Sequence, residues 1–528
     1  MNHSVFIKTV LFIIQGIDNS YENSFLKRII DGIIGFFNKI NEFYENSIMA
    51  GFTRTITQLL YSSAILQFFF KRGNLSKWYE NSVIFLIING LINFPSKLLK
   101  KVYLKFENIF IESKIISFVT YVLSKFEIIA GLFIFMMIVI PHNRWDNRYS
   151  LIISFVLAGL VFINIIIQRN WEFNIKAIDF TLILFMVLVV LSVVASMSES
   201  SRFLAFYVTS FLFVLIIVSS IKSEKALGAF IEIILIGIAI TGLYGVWQVV
   251  TKAVAFDPSL TSIELSEGMP GRIFSTMHNP NNYAQVLIMT LPFFAAVILN
   301  AKSFVKKVVY LGLALAPMIS LFYTGSRSGW IGLAVAVFVF TFFFNKRLIP
   351  FVILGGVMLF PFMPSHVHRR LFTIFRTGAD TSSQYRVEIL QTFYPMLRDY
   401  YLWGLGLGTN IFMRVINNYH QYTKATPLHT HVLYLQIWIE TGLLGILSFM
   451  WLIYRTLKNS IICMSNTSKE MKNILIAGVT SLAGVLTIGV VEYIWYYQRV
   501  MFLFWIVVGI VFAATSIVFN KNRKLSES

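Results

Sequence analysis

Residues 203–221 read FLAFYVTSFLFVLIIVSSI, a run without a single charge, and Lys222 and Lys225 follow it directly. At about 1.5 Å of rise per residue, a helix over this run covers about 28 Å, close to the ~30 Å hydrocarbon core of a bilayer. Comparable runs recur along the whole 528-residue chain, which is 57% hydrophobic and only 13% charged. Its mean hydropathy is +0.72. These values lie far outside the soluble globular range. A transmembrane barrel would alternate apolar and polar residues along short strands, and these runs do not. The expected fold is therefore all-α and polytopic. Cys463 is the single cysteine, so no intramolecular disulfide shapes the loops. The first residues carry no secretory cleavage pattern, and the N-terminus is expected to be retained.

From residue 126 onward the pattern predicts twelve spans. They fall at 126–140 (beginning upstream, near Phe118), 149–168, 177–196, 203–221, 227–252 and 281–300. The second half gives 304–324, 327–345, 347–363, 430–454, 473–491 and 498–519. Every second connection is basic. Arg169 and Lys176, Lys222 and Lys225, Lys302 with Lys306 and Lys307, and Lys346 with Arg347 mark one side. Arg455, Lys458, Lys469 and Lys472, then Lys521, Arg523 and Lys524, continue it. The positive-inside rule makes this side cytoplasmic and puts both ends of the twelve-span unit there. The same placement accounts for the formal charge of +19 by topology and anionic headgroups, without nucleic acid. Two long connections are then outside, at 253–280 and at 364–429, the latter between spans nine and ten. The second carries Arg369, Arg370, Arg376, Arg386, Arg398, Arg414 and Lys424 against Asp380, Glu388 and Asp399. So basic a loop on the side that topology does not require to be basic points to an anionic ligand.

Residues 1–113 read as an extension that precedes a transmembrane domain at 114–528. Within it, residues 25–43 set Phe25, Ile29, Ile33, Phe36 and Ile40 at helical spacing among Lys27, Arg28, Asp31 and Lys39. That is the pattern of an amphipathic helix lying at the interface and meeting membrane lipids. A short repeat, Tyr21-Glu22-Asn23-Ser24, recurs at Tyr44–Ser47 and Tyr79–Ser82, with a partial copy at Phe106-Glu107-Asn108. Similar helix starts or chance would both produce it. Residues 83–94 are apolar enough to dip into the membrane, but Asn89, Asn93 and Pro95 argue against a full span.

The chemistry-bearing residues gather at the ends of spans that open outward. His431 stands where the tenth span enters, and an imidazole with an ordinary pKa near 6.5 suits a general base. His429 is two residues away, yet no Cys or Asp/Glu pair stands nearby, so a metal is not expected. Glu440 lies nine residues further along, about 13 Å at ~1.5 Å per residue, too far to touch His431 directly. Gly442 and Gly445 read as a small face for close helix contact. Arg327, in Thr324-Gly325-Ser326-Arg327-Ser328-Gly329-Trp330, opens the eighth span, and Arg272 precedes Asn279-Pro280-Asn281 at the sixth. Arg386 follows Ser382-Ser383-Gln384-Tyr385 in the long loop. A guanidinium offers a bidentate fork to phosphate oxygens, although snorkelling to headgroups would equally place an arginine at a span end. Asn279 and Asn281 would cap the helix start or hold sugar hydroxyls. The glycines of Trp403-Gly404-Leu405-Gly406-Leu407-Gly408 lack the Lys-Ser/Thr ending of a phosphate loop and read as a turn. Glu492–Arg499 reads as a short aromatic anchor loop.

This order of features resembles the O-antigen ligase and O-antigen polymerase superfamily over about residues 126–519. The family's ligase pattern is a His, a small polar residue, nine residues, then Gly-x-x-Gly. His431, Leu433 to Thr441, Gly442 and Gly445 follow that spacing, with Val432 at the polar position, so Thr430 is expected to supply the polar contact to His431. Asn279-Pro280-Asn281 with Arg272 upstream, and Ser326-Arg327, resemble the family's other signatures. The resemblance implies a glycan donor on undecaprenyl pyrophosphate, an acceptor that is a glycan, lipid or wall polymer, and neither nucleotide nor metal. It implies an active site on the outer face of the cytoplasmic (inner) membrane. Arg272 and Arg327, aided by Arg386, would stabilise the departing diphosphate, and His431 would take the acceptor's proton in one inverting displacement. Asn279, Asn281, Ser326 and His429 would contact substrate. Ligation and polymerisation share this chemistry, and the sequence does not separate them. A solute transporter is the alternative, because twelve spans is a common transporter count. Against it, ionisable groups such as Asp179 and Glu232 sit near span ends.

Overall fold

The computed structural model describes residues 5–45, 51, 54–55, 58, 62, 75–167, 172–194, 197–254, 271–363, 367–368, 381–420 and 426–527. Among the described residues all regular structure is helical. The N-terminal part builds α1 (Val5–Glu22), α2 (Phe25–Glu45), α3 (Leu75–Glu80), α4 (Val83–Lys105), α5 (Glu107–Glu112) and α6 (Lys114–Leu123). Then come α7 (Phe126–Val139), α8 (Asn147–Ile167), α9 (Phe180–Val193), α10 (Met197–Ser220), α11 (Glu224–Val250) and α12 (Pro280–Asn300). The rest comprises α13 (Phe304–Tyr323), α14 (Arg327–Asn345), α15 (Ile349–Leu359), α16 (Thr381–Tyr400), α17 (Thr409–Ile416), α18 (Leu433–Met464), α19 (Lys469–Ile488) and α20 (Gln498–Glu527).

The protein is an all-α polytopic membrane protein. Ten helical stretches among the described residues are long and apolar enough to cross a bilayer, or eleven if the pair α6–α7, bent by 63°, forms one span. The differences from twelve are physical. The expected third span is built as α9, a helix of only 14 residues. The expected eighth and ninth spans are one helical stretch, Arg327–Phe362, because Lys346–Leu348 forms a 3-10 turn and not a loop. Asn345 Oδ1 accepts the Arg347 N–H at 3.2 Å, and Pro350 occupies the first turn of α15, where its missing N–H costs nothing. Conversely, α4 runs unbroken through Pro95 for 23 residues and passes as a span. Its Asn89 and Asn93 bond each other at 2.8 Å, and Asn93 Oδ1 accepts the Phe173 N–H at 2.7 Å, so the amides that argued against a span are satisfied inside the protein.

Most of α12, α19 and α20 is buried, and these helices form the centre of the bundle. Gly332 of α14 and Gly484 of α19 face each other, each within about 3.1 Å of the other's carbonyl oxygen were a Cβ added, so the two backbones cross closely. The outer surface of α4, α11, α13 and α18 exposes Leu91, Leu243, Leu311 and Leu447, as lipid-facing helices do. Among the described residues, one end of the bundle carries three ion pairs between its helices. Arg455 pairs with Asp179 at 2.8 Å, Lys306 with Glu232 at 2.7 Å, and Lys521 with Glu224 at 3.3 Å.

The end of α1 packs onto this same end. Tyr21 stacks on Phe304 at 3.8 Å, and Asp18 Oδ1 accepts the Val305 N–H at 3.2 Å. The repeat now has a physical role in two copies. Ser24 Oγ donates to Tyr21 O and accepts the Lys27 N–H, and Ser82 Oγ donates to Tyr79 O and accepts the Phe85 N–H. Each copy ends one helix and caps the next. The copy at 44–47 lies partly outside the described residues, as do Arg169, Arg369, Arg370, Arg376, Asp380, Lys424 and the loop centre 255–270.

Candidate active site

The framework of the site is a break in α18. Gly442 holds φ 73° and ψ −176°, a conformation open essentially to glycine alone. The break frees backbone groups about 13 Å along the helix from Leu433, where Glu440, Thr441 and Gly442 are buried from water. The turn after α16 fills the gap. Leu405 N–H donates to Ile439 O at 2.7 Å, Gly406 N–H to Glu440 O at 3.1 Å, and Leu443 N–H to Leu402 O at 3.2 Å. Gly404 has φ 75°, and a Cβ there would lie 2.6 Å from Gly442 N. Gly442 breaks the helix that its spacing with Gly445 presumed continuous, and the break admits the hairpin α16–turn–α17. The glycine-rich segment is a turn, and its partner is a helix break.

The start of α16 lies at the level of the span mouths. There Arg386 Nη2 donates to Glu492 Oε1 at 2.7 Å, and Asn281 Nδ2 donates to the same oxygen at 3.1 Å. The Asn281 Oδ1 accepts Arg272 Nη2 at 2.7 Å, and Arg272 Nε donates to Thr324 O at 2.8 Å. One connected chain thus runs from the Ser326–Arg327 turn through Arg272, Asn281 and Glu492 to Arg386. Asn279 is the N-cap of α12, its side chain accepting the Asn281 N–H, whereas Asn281 itself bridges arginine and glutamate. Ser326 caps α14 through the Gly329 N–H, which makes Arg327 the first helical residue and leaves it half-buried. Sequence order separates Arg272 from Arg386 by more than a hundred residues; Glu492 is what joins them.

Beside this chain stands the histidine turn. His431 has φ 57°, a left-handed conformation rarely adopted by residues other than glycine. Its N–H donates to His429 Nδ1 at 3.1 Å, and the two rings lie 4.2 Å apart. Tyr385, next to Arg386, meets the His431 ring at 6.5 Å, and Tyr493 and Tyr496 enclose His429. Thr430 does not supply the contact expected of it, because its hydroxyl bonds the backbone of Val432 at both N–H and C=O. His431 Nδ1 is buried without a hydrogen-bond partner among the described residues. Burial pushes His431 down to about 2, with His429 and the Arg386 guanidinium adding to the effect, and burial with Arg386 pushes His429 down to about 3. Both imidazoles are neutral at physiological pH. No group of three or more His, Cys, Asp or Glu gathers among the described residues.

Two participants escaped the sequence. Glu492 opened what read as an anchor loop, yet its carboxylate is the hub; a lone acid among interfacial aromatics was the available signal. Arg499, in the same segment, is buried and donates to Met137 O, Ile140 O and Thr276 O, tying the end of α7 to the loop before α12.

Comparison with known proteins adds independent evidence. Residues 285–450 match a family model described as O-antigen ligase. That stretch includes Arg327, Arg386, His431, Gly442 and Gly445, and it stops short of Arg272, Asn281 and Glu492. The chain is also similar to the teichuronic acid biosynthesis protein TuaE of Bacillus subtilis (strain 168), 22% identical over 354 residues that cover 63% of this chain and 69% of that protein. With the helical membrane fold, these two matches support the chain's place in the O-antigen ligase and O-antigen polymerase superfamily.

Proposed function

We propose that this protein transfers a glycan from undecaprenyl pyrophosphate to an acceptor hydroxyl of a surface polysaccharide, at the outer face of the cytoplasmic membrane. Residues 114–528 are the transferring domain and 1–113 its docked extension. The observation that carries the reading is the continuous chain from Arg272 through Asn281 and Glu492 to Arg386, standing beside a neutral His431 with an unpartnered Nδ1. The side assignment draws on charge: the basic helix ends and their ion pairs lie at the opposite end of the bundle.

In the reaction the acceptor oxygen attacks C1 of the donor sugar. The C1–O bond to the diphosphate breaks, and the leaving group takes the bonding pair. Arg272 and Arg386, with Arg327 at the mouth of α14, stabilise the charge that develops there. His431 takes the hydroxyl proton. Burial is the main cause of its lowered basicity, and a bound diphosphate would oppose the smaller contribution of Arg386 and raise the imidazole's affinity for a proton. One displacement inverts C1. Asn279, Asn281, Ser326 and His429 hold the substrate or the groups that touch it. The transport reading has a broken helix in its favour, but the freed carbonyls of Ile439 and Glu440 already accept from Leu405 and Gly406, so the hairpin satisfies the break.

Proteoliposomes carrying the protein, undecaprenyl-pyrophosphate glycan and candidate acceptors test the reading by product mass. Transfer that His431→Ala abolishes is expected, and product length separates ligation from chain growth. Solute movement without donor consumption would refute it.

A further inference from the structure

Glu440 is a buried acid on α18 that the proposed chemistry leaves unused. It does not touch His431, yet a chain of bonds links them. Glu440 Oε1 accepts Gln436 Nε2 at 2.9 Å, and Gln436 Oε1 accepts the Thr430 N–H at 2.9 Å. Thr430 is the middle residue of the histidine turn. The Gly408 N–H, at the end of the turn after α16, also faces the Glu440 carboxylate. Thr430, Gln436 and Glu440 are all buried, so water cannot replace a lost partner.

We infer that Glu440 is a positioning residue: through Gln436 it fixes the Thr430 amide and so holds His431 in its left-handed conformation facing Arg386. A backbone N–H can only donate, so the Thr430 amide requires the oxygen of Gln436. The Gln436 amino group then requires an acceptor, and it finds one in Glu440. Gly408 is a second donor facing the same carboxylate. A carboxylate presents acceptors only, whereas a carboxamide in its place turns an N–H2 donor group toward surroundings that already donate. The pair therefore ties two things together across the break in α18: the seating of the hairpin that carries Arg386, and the turn that carries His431. This rests on the transferase reading above.

The logic predicts a rescue. Glu440→Gln adds a buried N–H2 group that faces donors and finds no acceptor. Gln436→Glu sets two carboxylates against each other. The double variant Gln436→Glu with Glu440→Gln restores every bond with the polarity reversed: the new carboxylate accepts from Thr430 and from the new amide, whose oxygen accepts from Gly408. In the proteoliposome transfer assay each single variant should lose kcat by about ten-fold or more, with KM for the donor little changed, the loss expected for a charged hydrogen bond. The double variant should recover to within about three-fold of the parent. A role in packing alone gives no reason for the reversed pair to recover. Hydrogen exchange of the peptide spanning 429–432, followed by mass spectrometry, reads the same tie without substrate. Faster exchange in each single variant and restored protection in the double variant support the inference even if no glycan transfer is found, in which case only the transferase reading fails. Parent-like kcat in either single variant, or a folded double variant as slow in transfer and as fast in exchange as the singles, overturns it.

Discussion

Replacing Gly442 by alanine should damage this protein more than its single added methyl suggests. At φ 73° and ψ −176° an alanine pays about 1–3 kcal/mol of backbone strain. Its Cβ would also overlap Leu402 O, a backbone atom that cannot rotate away. Moving that carbonyl breaks the 3.2 Å bond from the Leu443 N–H, a further cost of about 1 kcal/mol. The sum is about 2–4 kcal/mol, measured as loss of unfolding free energy by SDS titration in bicelles. Transfer should fall as well, because the displaced turn leads back along α16 to Arg386. Gly312→Ala is the control: it sits in α13 with open space around its Cβ, and it should match the parent or gain up to about 1 kcal/mol. If Gly442→Ala unfolds within about 0.5 kcal/mol of the parent, the break in α18 is not glycine-dependent and the argument fails.

Acid should loosen the site in a defined direction. His429 and His431 are held at about 3 and about 2 when folded, against an unfolded value of about 6.5. The unfolded chain thus binds more protons in that interval, so their contribution is complete above about pH 6.5 and is lost as pH falls below it. Thermal midpoints measured from pH 7 to pH 4 should decline, and His431→Asn should make the decline shallower; an unchanged slope would count against the buried pair. Glu492→Gln should lower kcat by about 10- to 100-fold while the protein remains folded, since the charge that orients Arg386 and Asn281 is gone. Parent-like kcat there would remove Glu492 from its central place. At the end of the bundle opposite the site, Asp179→Asn leaves the partly buried Arg455 without its charge partner and should cost about 2–4 kcal/mol, with transfer per folded molecule retained. A selective loss of transfer would show that the two ends of the bundle are coupled.

Much of the architecture was legible because membrane physics writes it into local composition. Uncharged runs such as 203–221 must be helices in a bilayer, and most of the predicted spans appear as helices close to their expected limits. Local signals misled where tertiary contacts changed the cost of a residue. Asn89 and Asn93 looked too polar for a span until they bonded each other and Phe173. Lys346 and Arg347 looked like a loop, yet capping by Asn345 lets helix follow helix.

By itself the sequence determined a helical membrane protein whose basic helix ends lie on one side, and it singled out His431, Arg272, Arg327 and Arg386, because charge and hydropathy act residue by residue. Only the tertiary structure decided that Glu492 joins Arg272 to Arg386, that Gly442 breaks a helix to admit a hairpin, and that Glu440 reaches the histidine turn through Gln436. The first two depend on bonds between segments far apart in the chain, which leave no periodicity for a sequence to show; the third is local, but it needs the left-handed turn at His431 that sets the Thr430 amide over Gln436.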